Sequence, residues 1–168
     1  MSDADPPGPG RPGEEDTAGR PPSLLALPTY LAGHVARIGH DRLVADIAAY
    51  GLRLPHFATL TALADFGPLP QHALADHLGF NRSHLVGYLD TVEERGLVGR
   101  TRDPADRRRQ LVALTAEGRR LQRRLLKVAE RAQEEFLREL SATERETLAA
   151  LLRRIVAAGD RRTARTDD

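Results

Sequence analysis

The chain has 168 residues, a formal net charge of +1, a hydrophobic fraction of 40% with only 4% aromatic residues, and no cysteine. That length suits one domain with a real core, and the missing cysteine excludes disulfides, thiolate metal sites and cysteine redox switches. No run of about 18 apolar residues exists to cross a membrane as a helix. The acidic, Pro/Gly-rich start MSDADPPGPG is the opposite of a secretory leader, so a cytoplasmic location is expected.

Residues 1–22 contain six prolines and four glycines and are expected to form a disordered tail. Its charge is acidic, with Asp3, Asp5, Glu14, Glu15 and Asp16 against Arg11 and Arg20. From Pro28 the apolar spacing becomes helical: Leu27, Tyr30, Leu31, His34, Val35, Ile38, Val44, Ile47 and Ala48 predict one long helix over 29–50. Pro55 suits the first turn of a second helix, with Phe57, Leu60, Leu63 and Ala64 inward, ending near Phe66–Gly67–Pro68. Gln71 to His77 makes a short helix, and Gly79 supplies a left-handed turn at low cost. Asn81 is a good N-cap for the next helix, with Leu85, Leu89 and Val92 inward and Gly96 as its stop. Two helices joined by a tight glycine turn form a helix-turn-helix.

Leu97, Val98 and Gly99 begin an extended stretch, RDPADRRRQ is charged turn material, and Leu111–Leu114 is a short β-competent run. Together they predict a hairpin, or wing. Thr115 caps a long helix to about Leu140, with Leu121, Leu125, Val128, Ala132, Phe136 and Leu140 on one face. Ser141 and Glu144 make a capping box for a last helix carrying Leu148, Leu151, Leu152, Ile155 and Val156, expected to stop at Gly159 before a polar tail over 160–168.

The fold class is therefore mainly α with a small β-hairpin wing: a winged helix-turn-helix flanked by long N- and C-terminal helices. The expected lobes are a DNA-binding lobe over 55–114 and a helical dimerisation lobe over 24–50 and 115–158. Long amphipathic helices around a small module carry more apolar face than it can cover, and a second copy is the simplest cover. Arg100, Arg102, Arg107, Arg108 and Arg109 crowd ten residues against Asp103 and Asp106 alone. On charge alone a solvated basic loop is the simpler reading; placed on a wing, the cluster suits a polyanion.

The stretch from Leu74 to Arg119, and above all Asp103-Pro-Ala-Asp106-Arg-Arg108 followed by Leu111-Val-Ala-Leu114-Thr115-Ala-Glu-Gly118, resembles the signature of the MarR family of winged helix-turn-helix transcription regulators. The resemblance is close over about 72–120 and extends loosely, by element order, across 24–158. It implies a homodimer that binds double-stranded DNA at a pseudo-palindromic operator and is released, as a repressor, by a small-molecule effector. The outward N-terminal residues of the recognition helix, here Asn81, Arg82, Ser83, His84, Val86, Gly87 and Tyr88, would enter the major groove. Gly87 departs from the larger polar residue usual there. Asp106 and Arg108 match the family's Asp-x-Arg pair, in which the carboxylate holds the guanidinium extended for a minor groove. Arg107 and Arg109 are phosphate candidates, as are Gln71 and His72 at a helix N-terminus.

The effector implied is a phenolic or other lipophilic anion, and Tyr30, His34, Arg37, His56 and Phe57 are the candidate contacts. The six histidines form no i,i+4 pair and no HExxH, so no metal or other cofactor is expected. A small helical enzyme would need a P-loop, a GxSxG elbow or a Rossmann fingerprint, and none occurs. A winged helix used for protein assembly would lack the cations Arg82 and Arg107–Arg109.

Overall fold

A computed structural model of the chain describes residues 19–103, 106 and 110–164, with side chains described through residue 160. The elements are α1 (Pro22–Leu25), α2 (Pro28–Ala48), α3 (Leu54–Phe66), α4 (Gln71–Leu78), α5 (Arg82–Glu94), β1 (Val98–Arg102), β2 (Gln110–Leu114), α6 (Ala116–Phe136) and α7 (Ala142–Ala164). The chain divides within α2 into a first unit ending at Ile38 and a second beginning at Gly39.

The first unit contains α1 and the first turns of α2. The sequence reading had no α1; Pro22, assigned there to the tail, sits in its first turn, where a missing N–H and a fixed φ suit a helix start. Gly33 does not interrupt α2. Leu24, Leu27, Leu31, Val35 and Ile38 are all more than a third exposed.

The second unit holds the core, built from Ile47, Leu52, Leu60, Leu63, Leu74, Leu85, Leu89, Val92, Leu97, Val98, Val112, Leu114, Leu121 and Leu125. Of these, Ile47, Leu60, Leu63, Leu85, Leu89, Val92, Leu121 and Leu125 are positions that the helical spacing selects, whereas Ala64, expected inward beside Leu63, is exposed. Asn81 caps α5 as expected, its Oδ1 accepting from Ser83 N–H at 2.9 Å. Gly79 closes α4 in the left-handed conformation, φ 62°.

β1 and β2 pair antiparallel in the register Val98 with Leu114 through Arg102 with Gln110. Leu69 adds a third, one-residue edge: its N–H donates to Val112 O at 3.0 Å and its carbonyl accepts from Val112 N–H at 2.8 Å. This bridge ties the α3–α4 connection to the wing root, and no local pattern in the sequence announces it.

The start of α6 explains the Leu-Thr-x-x-Gly pattern. Thr115 Oγ1 accepts from Gly118 N–H at 3.0 Å and donates to Gly96 O at 2.7 Å. A Cβ at Gly118 would lie 1.9 Å from Leu97 O, so only glycine fits where α6 crosses the first strand.

Two boundaries correct the sequence reading. The long helix ends at Phe136, not near Leu140, because Leu137–Leu140 turn and free Ser141 to cap α7. The capping box itself is present: Ser141 N–H donates to Glu144 Oε2 at 2.8 Å. Hydrogen bonds from the Ser141 hydroxyl, then from its N–H, hold the Glu144 carboxyl below its ordinary range. The last helix does not stop at Gly159 but runs to Ala164; a mid-helix glycine costs only about 1 kcal/mol against alanine, and the residues around it are good helix formers. Of the expected polar tail, residues 165–168 lie outside the described residues, as do 1–18 of the N-terminal tail.

Candidate nucleic-acid interface

The first turn of α5 projects its side chains outward because Leu85, Leu89 and Val92 take the inner face. Asn81, Arg82, Ser83, His84, Val86 and Gly87 are exposed. They are not equally available. The Ser83 hydroxyl donates to Asn81 Oδ1 at 2.6 Å, so both side chains are engaged in the cap. Arg82 reaches Asp76 on α4 at 3.4 Å with its side chain 70% exposed. An exposed pair of that length contributes about 0–1 kcal/mol, little enough for a phosphate or a guanine edge to displace. A Cβ on Gly87 would meet nothing within 4 Å, which leaves that turn of backbone open to close approach.

Tyr88 differs from its neighbours. Its ring is half-buried, edge-on to His56 and Phe80 with centroids 5.7 Å from each, and the Arg53 guanidinium lies 5.4 Å over it. The aromatic face expected toward a groove is thus turned onto α3 and the α4–α5 turn.

Gln71 and His72 begin α4, where Pro70 is the N-cap and no side chain caps the first turn. With Pro70, Arg82 and Gln110 they line a cleft of about 380 Å³. Gln110, the first residue of β2, is a member that sequence reasoning missed; its place depends on strand pairing. Of the wing, Asp106 is exposed, while Arg107, Arg108 and Arg109 lie outside the described residues.

Arg100 counted toward the basic cluster in the sequence, but the fold pairs it with Asp90 at 3.4 Å and Glu93 at 3.3 Å, both on α5. Strand pairing aims it back at the helix. Arg95 is a second cation with an internal use. It donates to Gly51 O at 2.8 Å and Tyr50 O at 3.0 Å, holding the C-terminus of α5 against the α2–α3 turn.

Of the effector candidates, Tyr30, His34 and Arg37 lie on α2 in the first unit. The Tyr30 and His34 rings meet edge-on at 4.5 Å, and Arg37 Nη2 is 3.4 Å from His34 Nδ1. His56 and Phe57 lie on the first turn of α3. His56 is buried, 3% exposed, and its Nδ1 accepts from Arg53 N–H at 3.0 Å. That bond places the ring proton on Nε2, which is buried without a hydrogen-bond partner among the described residues. Burial, then the charges of Arg53 and Arg95, hold the imidazole pKa below its ordinary 6.5. His77, which the sequence left without a role, stacks on Phe66 with centroids at 4.5 Å. Among the described residues no cluster of three or more His, Asp or Glu could hold a metal ion. Among the described residues no helix is long and apolar enough to cross a membrane.

A helix-turn-helix with an exposed second helix, followed by a hairpin, defines a winged-helix protein. Known proteins narrow the class. The model of the MarR family matches residues 52–109. The transcriptional regulator HosA of Escherichia coli O111:H- is 37% identical over 125 residues, covering 74% of this chain and 87% of HosA. The HTH-type transcriptional repressor NicR of Pseudomonas putida is 30% identical over 132 residues, 76% of this chain and 84% of NicR. The crystal structure of the PcaV transcriptional regulator from Streptomyces coelicolor, in complex with its natural ligand, superposes with a TM-score of 0.67 at 32% identity, covering 81% of this chain and 96% of PcaV. The chain belongs to the MarR family of winged-helix transcriptional regulators.

Proposed function

We propose that the protein is a homodimeric, sequence-specific DNA-binding repressor, with no catalytic role, that a small molecule releases from a pseudo-palindromic operator. The observation that carries this reading is the α5 N-terminus: Arg82 and His84 stand exposed, and Arg82 lines the cleft that the uncapped start of α4 shares with Gln110. Arg82 and His84 read base edges, Gln71 and His72 hold phosphate at the start of α4, and Arg107, Arg108 and Arg109 with Asp106 complete the contact from the wing. This describes a DNA-binding lobe over 55–114, with 24–50 and 115–158 as the dimerisation helices. A cytoplasmic location follows from work on DNA.

The dimer is supported by apolar surface that one chain leaves uncovered. No described side chain of α7 is buried, and Leu151, Leu152, Ile155 and Val156 are 45–68% exposed. Covering each is worth about 1 kcal/mol or more. The effector reading is supported by His56, whose buried Nε2–H is a donor awaiting an acceptor such as a carboxylate or phenolate oxygen. Phe57, on the same turn of α3, is a further effector candidate, and Tyr30, His34 and Arg37 are separate candidates on α2.

Analytical ultracentrifugation and fluorescence anisotropy on promoter fragments test the proposal together. A dimer that binds one fragment at least about 10³-fold more tightly than mixed-sequence DNA is expected. Ile155→Glu should shift it toward monomer and weaken that binding. A strictly monomeric wild-type protein, or one without a specificity ratio, overturns the reading.

A further inference from the structure

From Arg119 to Arg131, α6 carries a charge pattern that neither the helix-turn-helix nor the wing uses. Between Ala116 and Arg131 its exposed positions hold Arg119, Arg120, Arg123, Arg124, Lys127 and Arg131, against Glu117 and Glu130. At 100° per residue, five of these cations, all but Arg119, fall within an arc of about 100° on the side away from Leu121 and Leu125. The stripe is about 16 Å long at 1.5 Å rise per residue.

Internal pairing does not account for it. Glu117 is shared by Arg120 at 2.6 Å and Arg124 at 3.6 Å. Arg123 and Lys127 have no carboxylate within ion-pair reach among the described residues. Glu117, Arg120, Arg123, Arg124 and Lys127 together line an open cleft of about 480 Å³. Like charges three and four residues apart cost an isolated helix about 0.2–0.5 kcal/mol per pair. Beyond Lys127 the same helix lowers that cost by setting Glu130, Glu134 and Glu135 around its last cation, Arg131. The concentration of cations is therefore local and works against the stability of α6.

The stripe also adjoins the interface already described. Arg119 and Arg123 share a cleft of about 340 Å³ with Gly67, Pro68 and Ala113. Gly67 and Pro68 lead through the Leu69–Val112 bridge into Gln71, and Ala113 lies on the strand that begins at Gln110. The rest of that cleft, including Leu63, Ala64 and Leu114, is largely apolar, so the link is one of distance: the α3–α4 connection beside Arg119 and Arg123 runs from Pro68 to Pro70 at the edge of the cleft that begins α4.

We infer that the α6 stripe is a second, sequence-independent DNA contact, holding backbone phosphates outside the base pairs that α5 reads. The inference rests on the DNA-binding reading above. Duplex DNA carries one charge per 1.7 Å of axis, so a cationic stripe of this length faces several phosphates in a single approach. An acidic protein would match the charge equally, but the short path from the Arg119–Arg123 cleft through Pro68 and Pro70 to Gln71 favours the nucleic acid.

The test is the salt dependence of binding to a 40-base-pair mixed-sequence duplex, read by fluorescence anisotropy. The variant is Arg120→Gln, Arg123→Gln, Arg124→Gln and Lys127→Gln together. Glutamine keeps the helix propensity of arginine and lysine, and circular dichroism checks that the fold is kept. Each phosphate contact contributes about 0.9 to the slope of log K against log salt. The variant should lose about 2–4 from that slope per protomer and bind at least about tenfold more weakly at low salt. A control removes three cations outside both proposed lobes, Arg20→Gln, Arg161→Gln and Arg162→Gln, and should change the slope by less than about 1. An unchanged slope in the α6 variant, as expected for a protein-docking surface, overturns the inference. So does an equal loss in the control, which makes the effect one of net charge. If the wild-type protein binds no duplex at all, the DNA-binding reading fails with it, so the two failures are distinguishable.

Discussion

Gly118→Ala is the substitution for which helix propensity and tertiary packing give opposite answers. In an isolated helix, alanine is better than glycine by about 0.8–1.0 kcal/mol. Here the new Cβ would stand 1.9 Å from Leu97 O, 2.8 Å from Leu97 C and 3.2 Å from Leu114 Cδ2. The nearest obstacle is backbone, so rotamer changes cannot relieve it. Opening the contact to 3.0 Å moves α6 or the start of β1 by about 1 Å. That shift pulls on Thr115 N–H to Leu97 O at 3.0 Å, on Thr115 Oγ1 to Gly96 O at 2.7 Å and on the cap to Gly118 N–H at 3.0 Å. Overpacking costs about 1–3 kcal/mol, and a weakened N-cap adds about 1 kcal/mol. Against the propensity gain, the net is a loss of about 2 kcal/mol, or a fall in Tm of about 4–8 °C for a chain of this size. The comparison is Gly87→Ala, in the middle of α5, where a Cβ meets nothing within 4 Å; it should be neutral or stabilising by up to about 1 kcal/mol. Differential scanning fluorimetry and urea unfolding decide the matter. If Gly118→Ala is as stable as wild type or more so, the close crossing of α6 over Leu97 is wrong.

His56 is held neutral in the fold, below its ordinary pKa of 6.5, so the unfolded chain takes up a proton that the folded chain refuses. Stability should therefore fall as pH drops below about 6.5 and level off once the lowered folded pKa is passed; His56→Gln should flatten that dependence in urea titrations at pH 5.5 and 7.5, and an unchanged profile would clear His56 of the effect. Arg95→Ala should destabilise by about 1–2 kcal/mol through the lost bonds to Gly51 O and Tyr50 O, seen as a lower urea midpoint; no change would show those contacts to be solvent-equivalent. Arg82→Ala and His84→Ala should each narrow the gap between specific and non-specific DNA affinity by about 1–3 kcal/mol, and equal losses on both DNAs would reduce them to phosphate contacts. Arg108→Ala should weaken operator binding with the thermal transition unchanged; full affinity would remove the wing from the mechanism.

Most of the helical framework was legible in the residues themselves. Apolar spacing, the Asn81 cap, the Gly79 turn and the Ser141–Glu144 box are local signals, set by contacts within three or four residues, and the structure contains each one. The wing strands followed from a β-competent run beside charged turn residues. Helix ends were less legible: a single glycine is too weak a stop to end α7 at Gly159, and the Leu137–Leu140 turn contains no glycine or proline to announce it. What the fold alone decided are pairings between residues far apart in the chain. Leu69 meets Val112, Arg100 turns to Asp90 and Glu93, Arg95 reaches Tyr50 and Gly51, and His56 is buried against Tyr88. A cation's charge is written in the sequence. Whether it is spent on a carboxylate, as at Arg100, or left facing solvent, as at Arg123, depends on which backbone passes within about 4 Å, and only the packed chain determines that.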